Sequence, residues 1–208
     1  MRVYSVTPIH VGPGELARRQ ARYDALAPDG LTVTLIDLGP EAPRALEDAE
    51  DLTASEKLVL DALRMAPAGF DVLMPDCVLD PGVEQLMGEL PVAGILRLAL
   101  GWSVLMGRRT AAVTRNQTIA DELTRKAKAY GWADHLAGVE ILALDVESIC
   151  DPARWEASLD ISISRLPAGV GTVINGCSAV EVSDVHRSVR VVDPTKLALR
   201  LIAAGGTS

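Results

Sequence analysis

Short apolar runs alternate with longer amphipathic stretches along this chain, and the alternation predicts strands and helices in turn. Arg2 to Val6 reads as a first strand, Thr7 to Gly14 as a loop rich in breakers, and about Glu15 to Leu26 as a helix. Leu31 to Ile36 is a β-rich run, and Gly39 to Ala49 is a proline-bearing acidic connection. A helix from Ser55 to about Met65 follows, and Phe70 to Met74 makes a buried third strand. Asp80 as N-cap and Pro81 at the first helical position predict a helix just beyond Cys77. Pro91 to Ile95 predicts a fourth strand. An apolar helix then runs to about Gly107, where Arg108 and Arg109 suit a helix carboxyl end.

The pattern then starts again. Thr110 to Val113 predicts a strand, Thr118 to Tyr130 an amphipathic helix closed by Gly131, Val139 to Leu144 a strand, and Pro152 to Leu166 a helix capped by Asp151. Thr172 to Asn175 is a strand that delivers Gly176-Cys177-Ser178, with a helix start expected beyond it. Arg190 to Val192 is a last strand, and Asp193-Pro194 opens a terminal helix to about Ala204, leaving a frayed tail. Strands that alternate with helices imply parallel sheets. The expected fold is therefore α/β, with two similar parallel-sheet βαβ half-domains, a cleft between them, and the C-terminal helix packing back on the first half. The boundaries are drawn at 1–95 plus 193–208 and at 96–192. The duplication is one of plan; no residue-level repeat accompanies it.

Composition narrows the chemistry. The 208 residues are 49% hydrophobic and 23% charged, enough for a sizeable core. A net charge of -8, a pI near 4.9 and only 3% aromatics argue against nucleic acid and anionic lipid as partners and favour a small molecule. Met1 to Val11 is interrupted by Thr7, Pro8 and His10 and does not read as a secretory leader, so the expected location is cytoplasmic. The apolar window Leu90 to Gly107 carries Arg97 in its middle and reads as core rather than membrane span. The helix after Ile95 permits a homo-oligomer, although burial in the core explains it equally well.

Three cysteines, at 77, 150 and 177, form no CxxC pair and fit a reducing compartment. Cys77 and Cys177 stand 100 positions apart, each after the third strand of its half. Ligand crevices form at that carboxyl edge of a parallel sheet, and helix amides nearby favour a thiolate. The competing reading is packing, since free cysteine mostly behaves as a small buried hydrophobe. Two thiols facing one cleft have a chemical use. Moving a proton from one face of a carbon beside a carbonyl to the other needs one deprotonated and one protonated acid-base group. No metal or organic cofactor is then required.

Asp76-Cys77-Val78-Leu79-Asp80-Pro81-Gly82 resembles the first cysteine motif of the Asp/Glu/hydantoin racemase family, and Val173-Ile174-Asn175-Gly176-Cys177-Ser178-Ala179 resembles its second. Pro91 to Ile95, Ala111 to Thr114 and Val191 to Pro194 resemble strands of the same family. The resemblance is closest to the hydantoin racemase-like branch. It implies catalysis by Cys77 and Cys177, with substrate oxygens held at strand ends by Thr7, Val78, Thr114 and Ser178. The chain departs from the family in reading Thr7-Pro8-Ile9-His10 where Asn-Pro-Asn-Thr is frequent, and in following Thr114 with Arg115.

Among the other residues, Arg115 is a candidate carboxylate clamp and Arg97 a weaker one. His10 either faces the cleft or lies on the surface. His186 reads as solvent-facing or capping, Cys150 as packing, and Asp80 as a helix cap. Asp76 next to Cys77 would oppose a thiolate. Gly12-Pro13-Gly14 lacks the spacing of a phosphate cradle, and no zinc or serine-hydrolase motif occurs. The function expected is a cofactor-independent racemase or epimerase acting beside a carboxylate or imide carbonyl. The alternatives are a maleate-type cis-trans isomerase, an arylmalonate-type decarboxylase, or a small-molecule-binding protein without chemistry.

Overall fold

Arg2–Val6 forms β1, Thr32–Ile36 β2 and Val72–Pro75 β3, and the three pair in parallel in the order β2-β1-β3. In register, Val6 stands opposite Ile36 on one side and Pro75 on the other, so all three strands end at one edge. The computed structural model describes residues 1–142, 144, 148, 151–183 and 187–205. It divides into two compact units, one holding Met1–Ile95 with the terminal helix from Thr195 onward, the other Leu96–Pro194.

In the first unit, α1 spans Pro13–Leu26 with Pro13 opening it, where a missing N–H costs nothing. Helix α2 spans Ala49–Arg64. Its cap is Asp48, whose carboxylate accepts the amides of Glu50 and Asp51, so the helix starts six residues earlier than the apolar pattern placed it. The first turn is acidic and largely solvent-facing, which hides it from a search for apolar periodicity. Val6, Val59, Leu63, Leu73 and Leu86 form the core between sheet and helix.

Two expectations in this unit are overturned. Helix α3 is one turn, Val83–Leu86, and its N-cap is Gly82 in the left-handed region at φ 75°, so Asp80 and Pro81 do not open it. Asp80 itself takes φ 50° and is buried in the turn. The fourth strand shrinks to one bridge, Leu73 to Val92, with the Leu73 amide donating to the Pro91 carbonyl and the Ala93 amide to the Leu73 carbonyl. Pro91 has no N–H to extend the ladder.

Helix α4, Ile95–Leu105, leads into the second unit. Its sheet is parallel in the order β5-β4-β6-β7, from β4 Thr110–Thr114, β5 Leu136–Ile141, β6 Thr172–Asn175 and β7 Arg190–Val192. The first three strands repeat the order of the first unit, and β7 adds an outer strand beside β6. Helix α5, Gln117–Ala129, is capped by Asn116 and stops at Gly131, φ 76°. Helix α6, Pro152–Arg165, is capped by Asp151, as the sequence predicts. Strand β5 begins three residues before its expected start. Val113, Leu142, Trp155, Leu159, Val173 and Val180 make the core. Helix α7, Pro194–Gly205, closes the described chain and belongs with the first unit from Thr195 on.

No helix follows Cys177 before β7 among the described residues; Ser178 and Ala179 form a turn. Cys150 and His186 lie outside the described residues. No described helix is long and apolar enough to cross a membrane.

Candidate active site

In the first unit, Thr7 and Cys77 leave neighbouring strands at the same edge, tied by the Asp76 amide donating to the Val6 carbonyl at 2.8 Å. Cys77 is a free thiol, 8% exposed, and its sulfur accepts the amide of Leu79 at 3.4 Å. Leu79 belongs to a turn, so this donor is not the start of a long helix. An N–H aimed at sulfur favours the charged form over the neutral one. Val78 and Leu79 are buried beside it.

The turn is held from both ends. Asp76 is 2% exposed, and its carboxylate accepts from Arg19 Nη1 at 2.9 Å and from the Tyr23 hydroxyl at 2.7 Å. Burial, with the Asp76 carboxylate beside it, pushes the Tyr23 phenol well above its ordinary value, so Tyr23 stays a donor. At the other end, a Cβ on Gly94 would come within 2.4 Å of Asp80 Oδ2, so only glycine lets that segment pass the buried carboxylate.

The loop after β1 is built around Asp37. Its carboxylate accepts from the Val11 amide at 3.0 Å, from the Thr7 hydroxyl at 3.1 Å, and pairs with His10 Nδ1 at 2.7 Å. Burial pushes the Asp37 carboxyl up, but the hydrogen bonds from Val11, His10 and Thr7 outweigh it and hold the group below the usual carboxylate range. The Thr7 hydroxyl also reaches the Ile9 carbonyl, so this buried side chain organises the loop.

In the second unit, Gly176 and Cys177 follow β6. The Gly176 amide donates to the Val113 carbonyl at 2.8 Å, and a Cβ on Gly176 would sit 2.5 Å from that same oxygen. Asn175 then folds the chain back: its Oδ1 accepts the Cys177 amide at 3.1 Å, and its Nδ2 donates to the Cys177 carbonyl at 3.0 Å. The Cys177 thiol is in no disulfide and is partly exposed, and Ser178 is buried beside it. Across the strand, Thr114 is 1% exposed and its hydroxyl has no partner among the described residues. A buried hydroxyl without a partner is costly.

Residues 17–202 match the family described as Asp/Glu/hydantoin racemase. The chain belongs to this family. Solved structures similar to this racemase-family chain include the allantoin racemase AllR from Pseudomonas fluorescens, with TM-score 0.83, 17% identity, and 98% of this chain and 90% of that chain covered. The allantoin racemase from Klebsiella pneumoniae matches with TM-score 0.79 and 19% identity over 98% of this chain and 86% of that chain. An uncharacterized protein of Schizosaccharomyces pombe is 22% identical over an alignment of 195 positions that covers 87% of this chain and 82% of the relative. Membership makes the protein an isomerase-type enzyme of this family, as its motifs predict.

The predicted site residues of this racemase-family chain fall into two groups. Thr7, Cys77 and Val78 stand at the carboxyl edge of the first sheet, and Thr114, Arg115, Cys177 and Ser178 at that of the second. Arg97 lies exposed on α4. Sequence reasoning missed Arg19 and Tyr23, which sit on the helix face that α1 turns to the sheet, and Asn175, whose side chain shapes the Cys177 turn. A buried charge in an otherwise amphipathic helix gives no periodic signal. Asn175 reads in sequence as a mere strand end.

Proposed function

We propose that this protein is a cofactor-independent racemase of 5-substituted hydantoins, with Cys77 and Cys177 as its two bases. The observation that carries the reading is the matched placement of two free thiols, each just past the third-numbered strand of a parallel sheet built in the same order, β2-β1-β3 and β5-β4-β6. Family membership supports racemisation, and the likeness to allantoin racemases supports the hydantoin class, since allantoin is itself a hydantoin with its stereocentre beside an imide carbonyl.

In the proposed step, the thiolate of one cysteine takes the proton from C5. The C–H electron pair moves into the neighbouring carbonyl and gives an enolate. The thiol of the other cysteine delivers its proton to the opposite face and is left as the thiolate. The turn amides and the Thr114 hydroxyl are suited to hold the developing oxyanion. Positioned proton transfer of this kind contributes roughly 10²–10⁴-fold each.

Single enantiomers of allantoin and of 5-benzylhydantoin, followed by circular dichroism, test this directly. Wild type is expected to bring the signal to zero, and Cys77→Ser and Cys177→Ser each to lose at least about 10²-fold in rate. A wild-type rate in either variant overturns the two-base reading. Turnover of maleate in place of both hydantoins would move the chain to the isomerase reading.

A further inference from the structure

Cys77 stands between two acidic neighbours in sequence, Asp76 and Asp80, both buried. A carboxylate near a thiol opposes its ionisation, and Asp76 is the residue that precedes Cys77. The fold answers at Asp76. From α1, Arg19 reaches across to Asp76 with its Nη1 at 2.9 Å, while its Nε donates to Glu15 Oε1 at 2.8 Å. Arg19 is only 9% exposed, so the pair is shielded from solvent and its charge counts at short range. The mechanism described above makes no use of this ion pair.

We propose that Arg19 is a positioning residue for Cys77, cancelling the Asp76 charge so that the Cys77 thiolate forms near neutral pH. Other charged and titratable groups lie on the elements packed around this part of the first unit. From α1 these are Glu15, Arg18, Arg22 and Tyr23, of which Arg18 and Arg19 share Glu15. From the loops after β1 and β2 they are His10 and Asp37, paired with each other. From α2 it is Glu56, which accepts the Gly82 amide. Arg19 makes a direct ion pair with the residue next to the cysteine.

The consequence is a sign pattern that a merely structural role does not produce. Removing the positive charge while Asp76 remains leaves a less compensated negative charge on the residue before Cys77, and the thiol's titration is expected to move to higher pH. Removing the negative charge while Arg19 remains moves it to lower pH. Removing both returns it. Each single move is expected at roughly one pH unit, the scale of one nearby unpaired charge in a partly screened site.

The experiment is iodoacetamide alkylation from pH 5.5 to 9.5 on the full chain, with the Cys77 and Cys177 peptides quantified separately by mass spectrometry. The variants are Arg19→Met, Asp76→Asn and the double variant. Expected are a rise in the Cys77 midpoint for Arg19→Met, a fall for Asp76→Asn, and a double variant within about 0.3 unit of wild type. A midpoint unchanged in either single variant, a double variant that does not return, or an equal shift at Cys177 overturns the proposal. If Arg19→Met does not fold, Asp76→Asn and the double variant carry the same test. The readout needs no turnover, so failure here leaves the racemase reading standing, and failure of that reading leaves this result intact.

Discussion

Gly176→Ala places one methyl group where the structure has room for none. The added Cβ would lie 2.5 Å from the Val113 carbonyl oxygen, 3.1 Å from Thr114 Cβ and 3.3 Å from Leu123 Cδ1, against 3.4–4 Å for ordinary contact. The nearest obstacle is backbone, and that same oxygen accepts the Gly176 amide at 2.8 Å, so it cannot swing aside without losing a hydrogen bond between β4 and the end of β6. Overpacking of this kind costs roughly 1–3 kcal/mol, and the rigid partner argues for the upper half of that range. Gly171→Ala is the matched control, because nothing lies within 4 Å of its Cβ position. All three tryptophans, Trp102, Trp132 and Trp155, belong to the second unit, so intrinsic fluorescence in urea reports on it selectively. With a urea slope of about 1–3 kcal/mol/M, the Gly176→Ala midpoint should fall by about 1 M, while Gly171→Ala stays within about 0.5 kcal/mol of wild type. Equal midpoints for the two variants would refute the steric argument.

Other consequences are as direct. Thr114→Val removes a buried hydroxyl that has no partner among the described residues, so fluorescence-detected stability should hold or rise by up to about 1 kcal/mol while kcat/KM falls at least tenfold; a stability loss above that would mean the hydroxyl is a structural bond. Tyr23→Phe deletes the hydroxyl donated to the Asp76 carboxylate and should cost about 1.5–3 kcal/mol by far-ultraviolet circular dichroism in urea, with a neutral result contradicting the buried network. Glu15 is held down to about 2 by hydrogen bonds from Arg18 and Arg19, from an ordinary 4.5. Its contribution is fully present above about pH 4.5 and lost as pH falls toward about 2. Glu15→Gln should therefore flatten the acid limb of the stability curve in that window, and an unchanged slope there would count against the ion pairs.

Much of this was legible in the chain. The parallel doubled plan follows from short apolar runs of three to six residues separated by amphipathic helices, and Thr172–Asn175 and Arg190–Val192 sit where their patterns placed them. What sequence did not convey is turn chemistry. Asp80-Pro81-Gly82 has the letters of a helix start, yet the chain spends them on a tight turn with Asp80 at φ 50° and Gly82 at φ 75°. A Cβ at Gly82 would meet Leu60 Cα at 3.3 Å, so close packing against α2 joins the backbone twist in calling for glycine there. The partners of Asp76 were equally hidden, because Arg19 and Tyr23 lie over fifty positions away and meet it only once α1 packs on the sheet.

The most direct test of the two-cysteine account is proton NMR in deuterium oxide, following the C5 proton of single enantiomers of allantoin with wild type, Cys77→Ser and Cys177→Ser. The account predicts that wild type converts each enantiomer into its antipode carrying deuterium at C5, and that each variant forms antipode at least about 10²-fold more slowly. Antipode that retains the original proton throughout, or a variant that racemises at the wild-type rate, would contradict it.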